Sequence, residues 1–490
     1  MPDVLETAAL ELGNMTTVQL ALARRKPFLK SLLAAAGDGL SLSELPLQND
    51  DSSVYVIPKP LEERVRAAKG WQDDAQWSAG LQGWGALAVN VLSTEVVFRL
   101  IELGRVTAAL GDRPAVTPTA LAPVPAGLQG PKIEALPLQF QGPYDWHLQC
   151  CKIPQAWAMF AGDATHQGAL PWTDIRVGHI DTGYSEHSAL AWQNGASTTV
   201  DPSLGFDYFQ NQPDPRDQFL PTGNPGHGTR TSATIGGFYP TATGTPFYGA
   251  APGVKIVPYR ATDSVIIDHV KRMVADAMQD ALRKNCAVIS ISLGGLFGDS
   301  KLARALDDAY EKGVIVVCAA GNIWKEVIYP GRYNRCVTMG GVAPGMRPWA
   351  GSACGQYVDL CGPAQQVRRL KPEQLPPATA ATGLYAPPDG NGTSYATALC
   401  AGVAALWLAW HGDAKLNAAY AQPWMKAAAF KRLLRQTAYV PSAAEMPQGW
   451  DATQYGSGIV DAQALLGAPL PLAGDLRKAK PANDVYDPDD

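Results

Sequence analysis

The sequence is short of cysteine, short of charge and without an extended apolar leader, and each shortage removes a class of protein. Eight cysteines among 490 residues, with no C-x-x-C pair, exclude a disulfide scaffold and the usual zinc or redox motifs. Cys286, Cys318 and Cys400 lie in apolar runs and read as buried thiols acting as small hydrophobes, which suits a reducing compartment. Charged residues make up 17% of the chain, 40 basic against 45 acidic, for a net charge of -5. No cationic field of the kind that binds nucleic acid or an anionic membrane follows from that balance. Asp3, Glu6 and Glu11 stand where a secretory leader would be positive, and the first arginine pair is Arg24-Arg25. No membrane-spanning run of eighteen uncharged apolar residues is read, so no membrane span is expected. The expected compartment is cytoplasmic, with signal-independent export left open.

What is present is ordinary globular material. At 46% hydrophobic residues the chain has enough apolar surface for about two to four packed domains. From 143 to 466 short Val- and Ile-rich runs alternate with segments of helical period. The runs are Ile175–Ile180, Val254–Tyr259, Ala287–Leu293, Val314–Ala319, Val337–Val342 and Val358–Leu360. Continuous hydrophobicity is what strands covered on both faces require. Residues 265–284 and 301–312 carry apolar stripes at helical spacing, the second ending at Gly313. The expected fold is therefore α/β, a mostly parallel sheet with helices on both faces, its chemistry at the carboxyl ends of the strands.

The first part of the chain differs. Residues 1–50 read as a helical extension, with Val18–Ala36 as the helix. Residues 51–122 read as a smaller α+β domain, with strands at Ser53–Ile57 and Ala86–Leu92, helices at Leu61–Trp77 and Ser93–Leu103, and further strands within 105–121. A proline-rich linker fills 123–142. Residues 363–391 look irregular, and residues 467–490, ending Asp-Pro-Asp-Asp, read as a disordered tail.

Three segments fall where that pattern places strand ends or helix starts. Ile180-Asp181-Thr182-Gly183 closes a strand, Gly226-His227-Gly228-Thr229 opens a small-residue helix, and Asn391-Gly392-Thr393-Ser394 opens an apolar one. Singly each is bland: an ordinary turn, a structural histidine, a helix cap. Together they supply an orienting acid, a base and a hydroxyl at a helix N-terminus, the set that nucleophilic hydrolysis needs. The α/β-hydrolase signature Gly-x-Ser-x-Gly is absent, and it would place serine first.

The order Asp181, His227, Ser394, with His-Gly-Thr and Gly-Thr-Ser around the last two, resembles the subtilisin-like serine proteases, the subtilases. Ser290-Ile291-Ser292-Leu293-Gly294-Gly295 resembles the strand lining that family's substrate cleft, and Ala319-Ala320-Gly321-Asn322 its oxyanion-hole segment. Tyr329-Pro330-Gly331 and Val358-Asp359-Leu360 also fall at family-like positions. The resemblance covers about 320 residues. It implies a serine endopeptidase in which Ser394 attacks, His227 moves the proton, Asp181 orients the imidazole and Asn322 holds the oxyanion. The implied substrate-binding residues are Ser292, Leu293, Gly294, Ala320, Gly321 and Ile328.

The chain also departs from the family. Arg230-Thr231-Ser232-Ala233 follows His-Gly-Thr where His-Val-Ala-Gly is usual, and Tyr395, Ala398 and Leu399 replace the usual Met, Pro and His. The interval from Asp181 to His227 is long, which predicts an insertion around Asn211–Pro225 overhanging the cleft. Ile328 stands where the family often has glycine at the specificity-pocket floor, predicting a small P1 side chain. No cofactor is needed for the chemistry, while structural calcium stays open for the acidic stretch Asp207–Asp217. His179 reads as a packed strand residue. The N-terminal domain resembles the family's inhibitory propeptide, contacting the cleft; a permanent domain recruiting a partner is the competing reading. Peptide or protein is the expected partner, and a catalytically inactive peptide-binding relative or a small-molecule esterase are the alternatives.

Overall fold

A computed structural model describes residues 18–24, 43–46, 52–57, 59–84 and 86–91, residues 132–133 and 136–137, and residues 145–484 except 164–168, 194, 220–222, 241–245, 323–324 and 371–389. The chain forms two compact units, Met1–Pro114 and Ala115–Asp490.

The first unit holds strands β1 (Val18–Arg24), β2 (Ser43–Pro46) and β3 (Ser52–Ile57), helices α1 (Lys59–Lys69) and α2 (Asp74–Gly83), and strand β4 (Ala86–Val91). The sheet is antiparallel throughout, in the order β2-β3-β1-β4. The helix expected at Val18–Ala36 is corrected: residues 18–24 are a strand. Val18, Leu20 and Leu22 alternate with Gln19, Ala21 and Ala23, and pairing on both sides, with β3 and β4, overrides the helical preference of the alanines and leucines. The single helix expected over Leu61–Trp77 is two helices, broken at Gly70 with φ +69°. Val65, Trp77 and Leu81 bury themselves in this unit, and Trp71 packs on both Trp77 and Trp84. The helix expected at Ser93–Leu103, the strands expected within 105–121 and most of the linker lie outside the described residues.

The second unit is built on an eight-stranded sheet: β5 (Arg176–Asp181), β6 (Phe206–Asp207), β7 (Lys255–Arg260), β8 (Val288–Ile291), β9 (Ile315–Ala319), β10 (Val337–Ala343), β11 (Arg347–Pro348) and β12 (Leu360–Pro363). The order is β11-β10-β9-β8-β5-β7-β6, with β12 also on β10. Every pairing is parallel except β11 on β10. β5 sits in the middle, and its neighbour β8 is buried along its whole length, as continuous apolar strands require.

Helices α3 (His227–Gly236), α4 (Lys271–Arg283), α5 (Ser300–Glu311), α6 (Thr393–Ala419) and α7 (Trp424–Gln436) follow. Alternation along β5 separates the two faces. A Cβ on Gly178 would press on Ala281 of α4, whereas His179 meets Thr231 and Ser232 of α3 on the other side. α5 starts where Asp299 accepts the Lys301 and Leu302 N–H groups. α4 begins at Lys271, later than the expected 265, because residues 265–267 are drawn into backbone pairing with Gly294.

Two readings of the sequence are corrected, that no long uncharged apolar run exists and that the C-terminus is a disordered tail. α6 is long and apolar enough by composition to cross a membrane, but 89% of that stretch is buried inside the fold, where it is the central helix of the core. Residues 468–484 of the expected tail are held against the sheet unit. Arg335 donates to the carbonyls of Ala479 and Lys480, Asn334 donates to that of Pro481, and Ala479 and Ala482 are buried.

Candidate active site

Asp181 ends β5 and is fully buried, and His227 is the first residue of α3. Asp181 Oδ1 accepts from His227 Nδ1 at 2.6 Å and from the Thr182 N–H at 2.8 Å. Burial pushes the Asp181 carboxyl up, but the neighbouring imidazole and its hydrogen bond bring it below the ordinary carboxylate range.

The register between strand end and helix start is fixed by residues not singled out from the sequence. Thr182 Oγ1 donates to Asp217 Oδ2 at 2.7 Å and accepts from the Gly228 N–H at 3.0 Å. Asp217 Oδ2 also takes the Gly226 N–H, and its Oδ1 takes that of Phe219. The turn before His227 is thereby tied to the turn after Asp181. The contact is close enough that a Cβ on Gly228 would lie 2.1 Å from the Gly183 carbonyl oxygen, so the two turns can meet only with glycine there. The long interval expected to overhang the cleft therefore serves, through Asp217, as a buried brace. Among the described residues no group of three His, Cys, Asp or Glu is arranged to hold a metal. Asp207 pairs with the buried Arg260 at 2.6 Å.

Ser394 is the second residue of α6, in the first turn of that helix. Its Oγ donates to the Ser292 carbonyl at 3.2 Å, and Ser292 Oγ donates back to the Ser394 carbonyl at 3.0 Å. The hydroxyl is thus turned onto Ser292, with no hydrogen bond to His227.

Asn322 is held by its oxygen. Its Oδ1 accepts from the Thr393 N–H at 2.7 Å and from Thr393 Oγ1 at 2.8 Å, while Thr393 Oγ1 accepts from the Gly321 N–H at 3.2 Å. Among the described residues neither the Asn322 amide hydrogens nor the Ser394 N–H meets an acceptor. Gly392 has φ +152°, and a Cβ there would come within 3.4 Å of Asn322 Nδ2 and 3.7 Å of both the N and the Oγ of Ser394. Two unused donors and a hydroxyl therefore converge on the space over a residue that has no side chain.

The remaining expected residues flank this point. Ala320 accepts from the Ile328 N–H, and Ile328 packs its side chain on Gly321 and Gly294; a Cβ on Gly294 would lie 2.1 Å from Ile328 Cδ1. Leu293 is buried. Gly294, expected to face substrate, already has backbone partners: its N–H donates to the Val265 carbonyl at 2.9 Å, and its carbonyl accepts from Ile267 at 3.0 Å. An extended peptide would have to displace that segment to pair with Gly294.

A profile of the "Subtilase family" matches residues 173–461. Subtilisin DY of Bacillus licheniformis is 26% identical over 318 residues, 64% of this chain and 98% of that protein. Thermitase of Thermoactinomyces vulgaris is 30% identical over 260 residues, 53% of this chain and 80% of that protein. Among solved structures, fervidolysin from Fervidobacterium pennivorans shares the fold at a TM-score of 0.50 and 20% identity, covering 93% of this chain and 62% of its own.

Proposed function

The chain belongs to the subtilase family and is a subtilisin-like serine protease, and from that premise we propose that Asp181, His227, Ser394 and Asn322 carry out its peptide-bond hydrolysis. Ser394 Oγ swings off the Ser292 carbonyl and attacks the scissile carbonyl carbon as His227 Nε2 takes its proton. The carbonyl oxygen becomes an oxyanion, received by the Asn322 amide and the Ser394 N–H. Asp181 faces the imidazolium that forms. His227 then protonates the leaving amine, the C–N bond breaks, and water releases the acyl group by the same route in reverse.

The observation that carries this reading is the convergence over Gly392 of two donors without acceptors beside the Ser394 hydroxyl. Donors already aimed at the position where charge develops need no reorganisation during reaction. A fluorophosphonate probe is expected to label the protein at Ser394, and Ser394→Ala to abolish both labelling and the cleavage of unfolded protein. An unlabelled wild-type chain would overturn hydrolysis in favour of a peptide-binding relative. Labelling and ester hydrolysis without any protein cleavage would favour the esterase.

The proposal extends to the N-terminal unit, whose antiparallel sheet and two helices suit a propeptide removed by cleavage within the linker. Intact mass measurement is expected to find the wild type shortened and Ser394→Ala full length. Both chains remaining full length would make the unit a permanent domain.

A further inference from the structure

Behind Asp181, on the side away from His227, lies a second histidine. His179 is two residues earlier on β5 and so shares the face of Asp181. Thr231 is one turn after His227 on α3 and so shares its face. A strand face carrying His179 and Asp181 thus lies against a helix face carrying Thr231 and His227. His179 Nε2 is 3.0 Å from Thr231 Oγ1, His179 Nδ1 is 3.2 Å from Ser232 Oγ, and Thr231 Oγ1 is 3.3 Å from Asp181 Oδ2. All of these side chains are buried. Thr231 and Ser232 stand where the resembling sequences usually have valine and alanine, so both hydroxyls that meet His179 arise at that departure.

The direction of the chain follows from charge. An ionised Asp181 accepts only. His179 Nε2 lies 3.7 Å from Asp181 Oδ2, so a lone pair on Nε2 would face the carboxylate, whereas an Nε2–H presents its positive end. With the proton on Nε2, Ser232 Oγ donates to His179 Nδ1 and Nε2–H donates to Thr231 Oγ1. The one Thr231 hydrogen then has three acceptors in reach, the His227 carbonyl at 3.0 Å, the Gly228 carbonyl at 3.3 Å and Asp181 Oδ2 at 3.3 Å, and the relay requires that Asp181 hold it. We propose that His179 is a positioning residue that acts through the Thr231 hydroxyl on the outer oxygen of Asp181, fixing the carboxylate's orientation and moderating how strongly it draws a proton onto His227. The proposal rests on the hydrolytic reading given above.

Other charges near the pair are already matched. Arg260, beside Asp181 on β7, is neutralised by Asp207 and Asp263. Asp217 meets the pair's neighbours at the Thr182 hydroxyl and the Gly226 N–H. α6 has no charged residue from Thr393 to Gly412. Buried burden on His179 itself keeps its imidazole neutral, held down to about 4 by burial, with His227 adding to the effect and Asp181 opposing it.

A hydroxyl hydrogen bonded to Oδ2 withdraws charge from the carboxylate, so removing it strengthens the attraction of Asp181 for imidazolium and raises the pKa of His227. Because turnover needs neutral His227, the acid limb of kcat/KM then moves to higher pH. Thr231→Val is expected to move that limb up by about 0.5–1 pH unit and lower kcat/KM about 3- to 10-fold. Thr231→Ser, which keeps the hydroxyl, should stay at the wild-type position. His179→Val should shift the limb in the same direction, His179→Gln should restore part of it, and His179→Val should add nothing once Thr231 is valine. Titration of ¹⁵N-histidine-labelled full chain in the Ser394→Ala background reads the His227 pKa directly, without turnover. A His227 pKa unmoved in folded Thr231→Val overturns the relay, as does an equal His179→Val shift in both backgrounds. A wild type whose His227 titrates but which neither labels nor cleaves fails the hydrolytic reading alone, and the variants' titrations still decide the relay.

Discussion

Ile328 shows how one side chain sets what a site can accept. It is packed against Gly294 and Gly321, so the space that two glycines would leave open is filled by a branched aliphatic group, which on the proposed reading narrows the specificity pocket. We expect cleavage of a peptide library after Ala or Gly, and Ile328→Gly to move the preference to Phe and Leu, at the cost of about 2–4 kcal/mol of stability from the lost packing. Unchanged preference in the folded variant would remove Ile328 from the pocket. Asn322→Ala should lower kcat by about 10²–10³ with little change in KM, the loss seen when a subtilisin loses its own oxyanion asparagine. An equal loss in Ser394→Ala/Asn322→Ala and in Ser394→Ala alone is expected from residues that act as a unit. Asp181, His227, Ser394 and Asn322 stood out as candidates because each sits in a short motif near a strand end or helix start, and the structure pairs Asp181 with His227 and ties Asn322 to the turn before Ser394. Thr182, Asp217 and Thr393 did not. Thr182 and Thr393 stand inside the motifs but next to the residues that drew attention, and all three act through bonds to residues brought near only by folding.

At the scale of elements, strands covered on both faces announce themselves through unbroken Val and Ile, and β5, β7, β8, β9 and β10 fell within one or two residues of the runs that predicted them. β1 was hidden because alanine and leucine favour helix locally, whereas pairing with two neighbours is a property of the sheet. The C-terminal segment was hidden by its composition. Its final Asp-Pro-Asp-Asp suggests solvent, yet a few residues earlier Ala479 and Ala482 are buried, the Tyr310 hydroxyl receives the Ala479 N–H, and Asp307 receives that of Ala482. Removing residues 468–490 deprives the mostly buried Arg335 of the Ala479 and Lys480 carbonyls, leaving Asp307 and Glu311 as its partners. Charge-assisted bonds of this kind contribute about 1.5–3 kcal/mol each, so the truncated chain should melt at least 4 °C lower while a fluorophosphonate still labels Ser394. A melting temperature equal to that of the full chain would mean that the segment lies on the surface without stabilising it.

The whole molecule carries an acid sensitivity that no single element shows. His147, His179, His187, His269 and His411 are all buried, and burial holds His147 down to about 3 and the other four to about 4. In the unfolded chain each takes a proton near the ordinary 6.5. Between pH 6.5 and 4 the unfolded state therefore binds more protons than the native state, and stability falls as pH falls. Each such histidine contributes up to about 1.4 kcal/mol per pH unit across that window. The buried carboxyls of Asp145, Asp207, Asp217, Asp263 and Asp268 act in the opposite sense. Burial raises them, so the native state takes their protons first, but this compensation begins only as pH approaches the carboxylate range, after the histidines have started to act. The melting temperature of the full-length Ser394→Ala chain, which cannot digest itself, should accordingly drop from pH 7.5 to pH 5. Replacing His187, which lies outside the Asp181–His227 network, with Gln should flatten that slope, because one proton-linked group is then gone. A melting temperature level or rising toward pH 5 would mean that these imidazoles gain protons in the native fold as readily as in the unfolded chain.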